Sequence, residues 1–240
     1  VNYFLWDKTH NGQCCIKSGA NKLDKGSFRF MDEFDVFIRD NIAAQIVSKM
    51  REESMQVLSE QAFARNPFGF DSKARGNSVE FEGSIRLHHS QGLGFVDRKT
   101  VLKNTKCVDK FKVTIGKVVP SNGEVDVTPE KGYRVITTPK IYMPGEIFTE
   151  SYLMLGAFDS MIEAENFQYF MTQKIPRYLM KQTLTSMNIS KSNFDFVPLL
   201  DWHKKWTDDD VAKHLGLTDE QWEHINYVMR PMFLDGGENA

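Results

Sequence analysis

The 240-residue chain predicts an α+β protein built of mixed β-sheets with packed helices. Three observations carry that expectation. β-branched and aromatic residues fall in short runs between turn formers at Tyr133–Thr137, Ile141–Met143 and Ser151–Gly156, with Pro144-Gly145 turning the chain between the last two. A long amphipathic helix then follows, with Ser160 as its cap, Glu163 three residues on, and Phe167, Phe170, Met171 and Tyr178 at helical spacing. Two further capping signals, Thr207 with Asp210 and Thr218 with Gln221, announce two short helices near the end, separated by Gly216.

Taken in order, VNYFLWDK at 1–8, the Asn11-Gly12 dipeptide and QCCIKSG have the form of a β-hairpin, and Phe28–Met31 adds a third strand. From Asp32 the period changes to 3.6, with Phe34, Phe37, Ile38, Ile42, Ile46 and Met50 on one face and Asp32 at the N-cap. Arg39 sits at the edge of that stripe, placed for a surface salt bridge or a phosphate. Residues 60–78, EQAFARNPFGFDSKARGNS, form the long loop best suited to function. Short strands are expected at 79–81, 84–88 and 94–97, a basic helical turn at 98–104, and a half-buried strand at 111–119. Pro176 is expected to kink or interrupt the helix spanning 161–184, because it removes a donor and crowds the carbonyl four residues back. FDFVPLL at 194–200 then reads as extended. These elements divide into two lobes, 1–125 and 126–240, meeting at 120–132.

Composition narrows the classes of function. No apolar run reaches the length of a membrane span, and VNYFLWDKTH has no signal-peptide core. The opening at Val1 fits either a piece of a longer protein or a processed terminus. Three cysteines, two of them adjacent, make neither a disulfide framework nor a CxxC site, which implies a reducing, cytoplasmic setting. The six histidines show no metal-ligand spacing. Net charge is −2, yet residues 1–140 hold 22 Lys and Arg against 17 Asp and Glu, while 141–240 hold 8 against 15. The basic excess is sharpest from Arg98 to Lys117. Such a run is ordinarily a solvated face; its sharper reading is a phosphate-binding surface.

Several segments, in this order, resemble the carboxy-terminal region of adenine-specific DNA methyltransferases of bacterial restriction–modification systems. They include single-chain, type IIG-like enzymes that join nuclease, methylase and recognition parts. The matching stretches are YFLWDKTHNGQC at 3–14, MDEFDVFIR at 31–39, NPFGF at 66–70, GSIRLHHSQGLGFVDR at 83–98 and KFKVTIGKV at 110–118. GYRVITTPKIYMPGEIFTESYLMLGAFDSMIEAENFQYFMTQKIPRYL from 132 and FDFVPLLDWHKKWTDDDVAKHLGLTDEQ from 194 complete them. The resemblance implies a target recognition domain for double-stranded DNA, working beside a catalytic methyltransferase domain of the same polypeptide that holds S-adenosylmethionine. This chain itself would hold no cofactor or metal and carry no catalytic residue. Asn66-Pro67-Phe68-Gly69 lacks the second proline of the Asn-Pro-Pro-aromatic adenine-binding signature, and no Gly-rich cofactor loop precedes it.

A recognition domain sets its register with cations on phosphates and reads sequence with side chains at base edges. Residue type and loop position make Arg65, Asn66, Arg75, Arg86, His88, His89 and Gln91 the base-contact candidates, and Lys73, Arg98, Lys99, Lys103 and Lys106 the phosphate candidates. For each, the plainer reading is an ordinary surface residue. The rival function is a specificity or docking module whose acidic half meets a separate methylase or nuclease subunit. A nuclease is disfavoured, because no strand carries an Asp followed by an acidic-x-Lys pair.

Overall fold

The computed structural model describes residues 5, 7–17, 25–120 and 135–234. Among these the chain runs β1 (Cys14–Ile16), β2 (Ser27–Arg29), α1 (Asn41–Glu52), β3 (Ser84–His89), β4 (Gly92–Asp97), β5 (Phe111–Gly116), β6 (Lys140–Tyr142), β7 (Glu146–Phe148) and β8 (Tyr152–Phe158). Helices α2 (Met161–Thr172), α3 (Lys174–Lys181), α4 (Asp208–His214) and α5 (Asp219–Val228) follow. The strands make a β1–β2 ribbon and two three-stranded sheets, ordered β4-β3-β7 and β6-β5-β8. All pairs are antiparallel except β3 with β7. The class is α+β, as the sequence predicts, and no described helix is long and apolar enough to cross a membrane.

The capping signals place the later helices well. Ser160 Oγ accepts from the Glu163 amide at 3.3 Å, and the Glu163 carboxylate accepts from the Ser160 amide at 3.2 Å. Thr207 with Asp210 and Thr218 with Gln221 form the same reciprocal boxes, and Gly216 between them takes φ +57°. Pro176 divides the helix expected over 161–184 into α2 and α3. Gln173 turns extended at the junction, so the proline falls in the first turn of α3, where its missing donor has no intrahelical role. Asp208, the first residue of α4, completes that start by accepting from the Lys174 and Ile175 amides, each at 2.9 Å.

Elsewhere the structure differs from the sequence-based expectation. Helix α1 begins at Asn41, not after Asp32, because Asp40 is the cap: its Oδ1 accepts from the Ile42 amide at 3.0 Å and its Oδ2 contacts His224 Nε2 at 2.7 Å. Upstream, Arg29 donates to the Ile38 carbonyl and to Asn41 Oδ1, both at 2.9 Å. That carbonyl is therefore committed outside a helix, although Phe34 and Ile38 still reach the core. β1 pairs with Ser27–Arg29; most of the proposed first strand, 1–8, lies outside the described residues. Val79–Phe81 forms no strand, and Val79 is 72% exposed. Nor do residues 135–137, while Tyr133 and Arg134 are outside the described residues. β7 was not expected, since three residues carry too little periodicity to register.

The expected lobe boundary at 120–132 falls almost wholly outside the described residues. Within them, two hydrophobic cores meet across the β6-β5-β8 sheet. Val113 and Ile115 of β5 and Leu153 and Leu155 of β8 enter the first core with α1 to α5. At its centre Phe167 packs against Phe158 and Trp202, with ring centroids 5.2 and 4.7 Å away. Met154 of β8 and Tyr142 of β6 instead enter the second core, with Phe68, Leu87 and Phe148. β5 is thus covered on both faces rather than half-buried, and its Lys112 and Thr114 are inside.

Replacing the α2 cap, Ser160→Ala, leaves the Glu163 amide without its acceptor and is expected to lower stability by about 0.5–2 kcal/mol. Urea denaturation should show a lower midpoint with an unchanged slope.

Candidate nucleic-acid interface

The second core carries one surface made of three loops and a sheet. Its first part is the 63–78 segment. Phe68 anchors it, fully buried and edge-on to Phe148 at 5.2 Å. Asn66, just before, takes φ +58°, a conformation asparagine tolerates better than most residues, and its Oδ1 is buried without a partner among the described residues. Arg65 grips Glu150 with two donors, Nε at 2.9 Å and Nη2 at 3.0 Å, which raises the guanidinium pKa and lowers that of the carboxylate. Beyond Lys73 the loop runs along β4: the Asn77 amide donates to the Phe95 carbonyl at 2.7 Å and the Phe95 amide returns the bond at 2.8 Å. This approach demands glycine at 94, where a Cβ would sit 1.8 Å from the Arg75 carbonyl oxygen. Arg75 donates to Gln91 Oε1 at 3.0 Å and to the Ser72 and Ala74 carbonyls, so these two base-contact candidates hold each other and fix the loop to the β3–β4 turn.

On β3 the alternation separates the three candidates. Arg86 and His88 share one face with Glu146 of β7, each 3.4 Å from its Oε1. Burial lowers the His88 pKa against the opposing pull of Glu146, and the ring lies 4.6 Å from that of Tyr142. Burial would raise Glu146, but the Met143 amide, His88 and Arg86 together hold its carboxyl below the ordinary value. His89 points the other way. It is 8% exposed, and its Nδ1 accepts from the Gln91 amide at 3.2 Å, so the structure places it inside the hairpin rather than at the surface. Desolvation, helped by the charge of Arg75, lowers its pKa and favours the neutral ring this bond requires.

The third loop, 98–110, is fastened at several points. Asp97 caps a short 3-10 turn at Arg98–Thr100, Val101 and Val108 are buried, and Asn104 donates to the Pro67 carbonyl at 2.7 Å. That last bond joins this loop to the Asn66–Gly69 turn. Arg98 pairs with Asp109 through two contacts, one at 2.8 Å. Lys99, Lys103 and Lys106 are exposed, as is Lys73, and none has a salt-bridge partner among the described residues. An open groove of about 490 Å³ lies between this loop and the β3 entrance, lined by Glu82, Asp97, Arg98, Lys99 and Thr105.

The twelve candidates therefore all lie on the second core's elements, with Asn66 and His89 turned inward, His88 and Gln91 partnered by Glu146 and Arg75, and the eight cations in two states. Arg65, Arg75, Arg86 and Arg98 are held by side-chain partners, while the four lysines face solvent. The partners Glu146 and Glu150 escaped sequence reasoning because they lie 60 and 85 residues from their arginines, beyond any local spacing signal. Lys112 was also missed. Fully buried on β5, it donates to the Val108 carbonyl at 2.9 Å and the Met143 carbonyl at 2.7 Å, tying the end of the basic loop to the β6–β7 turn. Burial lowers its pKa to about 8.

No family model, curated protein or solved structure matches the chain.

Two outcomes are expected. Between about pH 8 and 10.5, the unfolded chain keeps a proton on Lys112 that the folded chain releases. Stability then rises with pH across that window. Denaturation midpoints of the parent minus those of Lys112→Met should rise through the same range, the subtraction removing Lys181, whose pKa burial also lowers to about 8. Gly94→Ala should push the Arg75–Asn77 segment off β4 at a cost of roughly 1–3 kcal/mol, as overpacking does. Amide exchange at Asn77 and Phe95 should accelerate more than exchange in α2.

Proposed function

We propose that this chain is the target recognition domain of an adenine-specific DNA methyltransferase, or of a methylase–nuclease fusion, from a bacterial restriction–modification system. It binds double-stranded DNA in the cytoplasm and positions a catalytic domain elsewhere in the polypeptide, which supplies S-adenosylmethionine. The observation that carries the reading is the set of four lysines, unpaired among the described residues, on loops bonded to one another, beside four arginines held by side-chain partners. Free lysines suit phosphates, where affinity comes from counterion release and needs no fixed geometry. Of the held arginines, Arg65, Arg75 and Arg86 suit base edges, where direction matters, while Arg98 is the phosphate candidate among them. Exposed ion pairs contribute only about 0–1 kcal/mol, so a guanine edge or a phosphate can compete for these arginines. The flipping of a target base that methylation requires then falls to the catalytic domain.

The test is selection of binders from a pool of random duplexes at low and moderate salt. One enriched motif is expected. Arg86→Ala should change the motif, whereas Lys103→Ala should weaken all sequences alike and reduce the salt slope by about one. Equal behaviour of the two variants on matched and mismatched duplexes would remove the division of roles. No salt-sensitive retention of any duplex would overturn the reading and favour a protein-docking module.

A further inference from the structure

Leu102, in the most basic loop, is 84% exposed. A single exposed leucine is ordinary on a protein surface. Here the backbone around it is unusually constrained. Val101 on one side is buried, and its amide donates to the Arg98 carbonyl at 3.2 Å. Thr100 Oγ1 donates to the Asp97 carbonyl at 2.6 Å. On the other side Asn104 takes φ +47° and is bonded to the Pro67 carbonyl. Val108 then returns the chain to the core. The loop thus holds an apolar side chain away from the core rather than letting it fold back.

The charges around it favour one kind of occupant. Lys99, Lys103 and Lys106 surround the leucine in sequence, exposed and unpaired among the described residues. The nearby acids are committed: Asp97 accepts from the Lys99 amide at 2.8 Å, and Asp109 is paired with Arg98. Asp159 is paired with Lys110, and Glu82 lies across the groove. A hydrophobic probe set among cations matches duplex DNA, whose phosphates meet the lysines while the stacked bases offer the nearest apolar surface. Proteins that deform DNA insert leucine and similar residues between base steps in this way.

We propose that Leu102 is a wedge that enters the duplex at a base step, with Lys99, Lys103 and Lys106 gripping the phosphates on either side. The inference rests on the DNA-recognition reading and adds to it a residue that loosens the stack. It predicts a preference for DNA that is already weakened.

The test uses the 240-residue chain with two short duplexes of the same sequence, one intact and one carrying a single abasic site. The parent protein is expected to bind the abasic duplex about tenfold more tightly, since unstacking there is already done. Leu102→Ala should bring that ratio near one and keep the parent's salt slope; Leu102→Met should retain the preference. Because the side chain is exposed, both variants should keep the parent's urea midpoint. A parent protein without the preference, or Leu102→Ala with an undiminished one, overturns the wedge while leaving DNA binding intact. Absence of salt-sensitive binding to either duplex overturns the recognition reading and the wedge with it.

Discussion

The double burial of β5 is the constraint on which the arrangement depends. One face gives Val113 and Ile115 to the helical core, and the other gives Lys112 and Thr114 to the core beneath the loops. A strand with no solvent face holds its register tightly, because a slip of one residue would exchange the two sets and drive a lysine among the helices. The ammonium group is tolerated on its own side because two carbonyls receive it. Those carbonyls belong to the end of the basic loop and to the turn before β7. The same contact that solvates the buried charge therefore fixes the base of the surface assigned to DNA.

On the proposed DNA-recognition reading, that surface would separate two tasks by how its cations are held. A lysine free in solvent keeps its rotamer entropy until phosphate arrives, and contributes through charge and salt release. A guanidinium already clasped by Glu150 or Asp109 has lost much of that freedom, so its direction is set in advance. The clasps also connect loops far apart in sequence. Arg75 with Gln91, and Asn104 with Pro67, make the three loops one assembly.

Helix starts were legible because their physics is local: Ser160, Thr207 and Thr218 announce themselves within four residues. The β3–β4 hairpin, with short strands expected at 84–88 and 94–97 about the Gln91-Gly92 turn, was equally clear. Where distant groups decide, the sequence was silent. The sequence pattern points to Asp32 as the cap of the first helix, whereas the cap is Asp40, bound by a histidine near the end of the chain. The pattern of 111–119 showed an alternation but not that a second core covers its polar side. The candidate residues were found by type and loop position, whereas their pairing with carboxylates, and the inward turn of His89, depend on the completed sheet.

The Asp40–His224 contact spans 184 residues, and the same core is closed by Lys49 to the Gly216 carbonyl across 167 and Trp202 to Gln61 across 141. During synthesis the first helix therefore waits. Its cap, Asp40, is in place at once, but the cap's partner His224 and the covering surface reach it only when the last helices have left the ribosome, so the first core closes late and as a unit, with its apolar face open in the interval. The loop-bearing core, whose residues lie between Phe68 and Met154, is complete well before. The loop-bearing part proposed to bind DNA is closed first, and the helical core that backs it is closed afterwards.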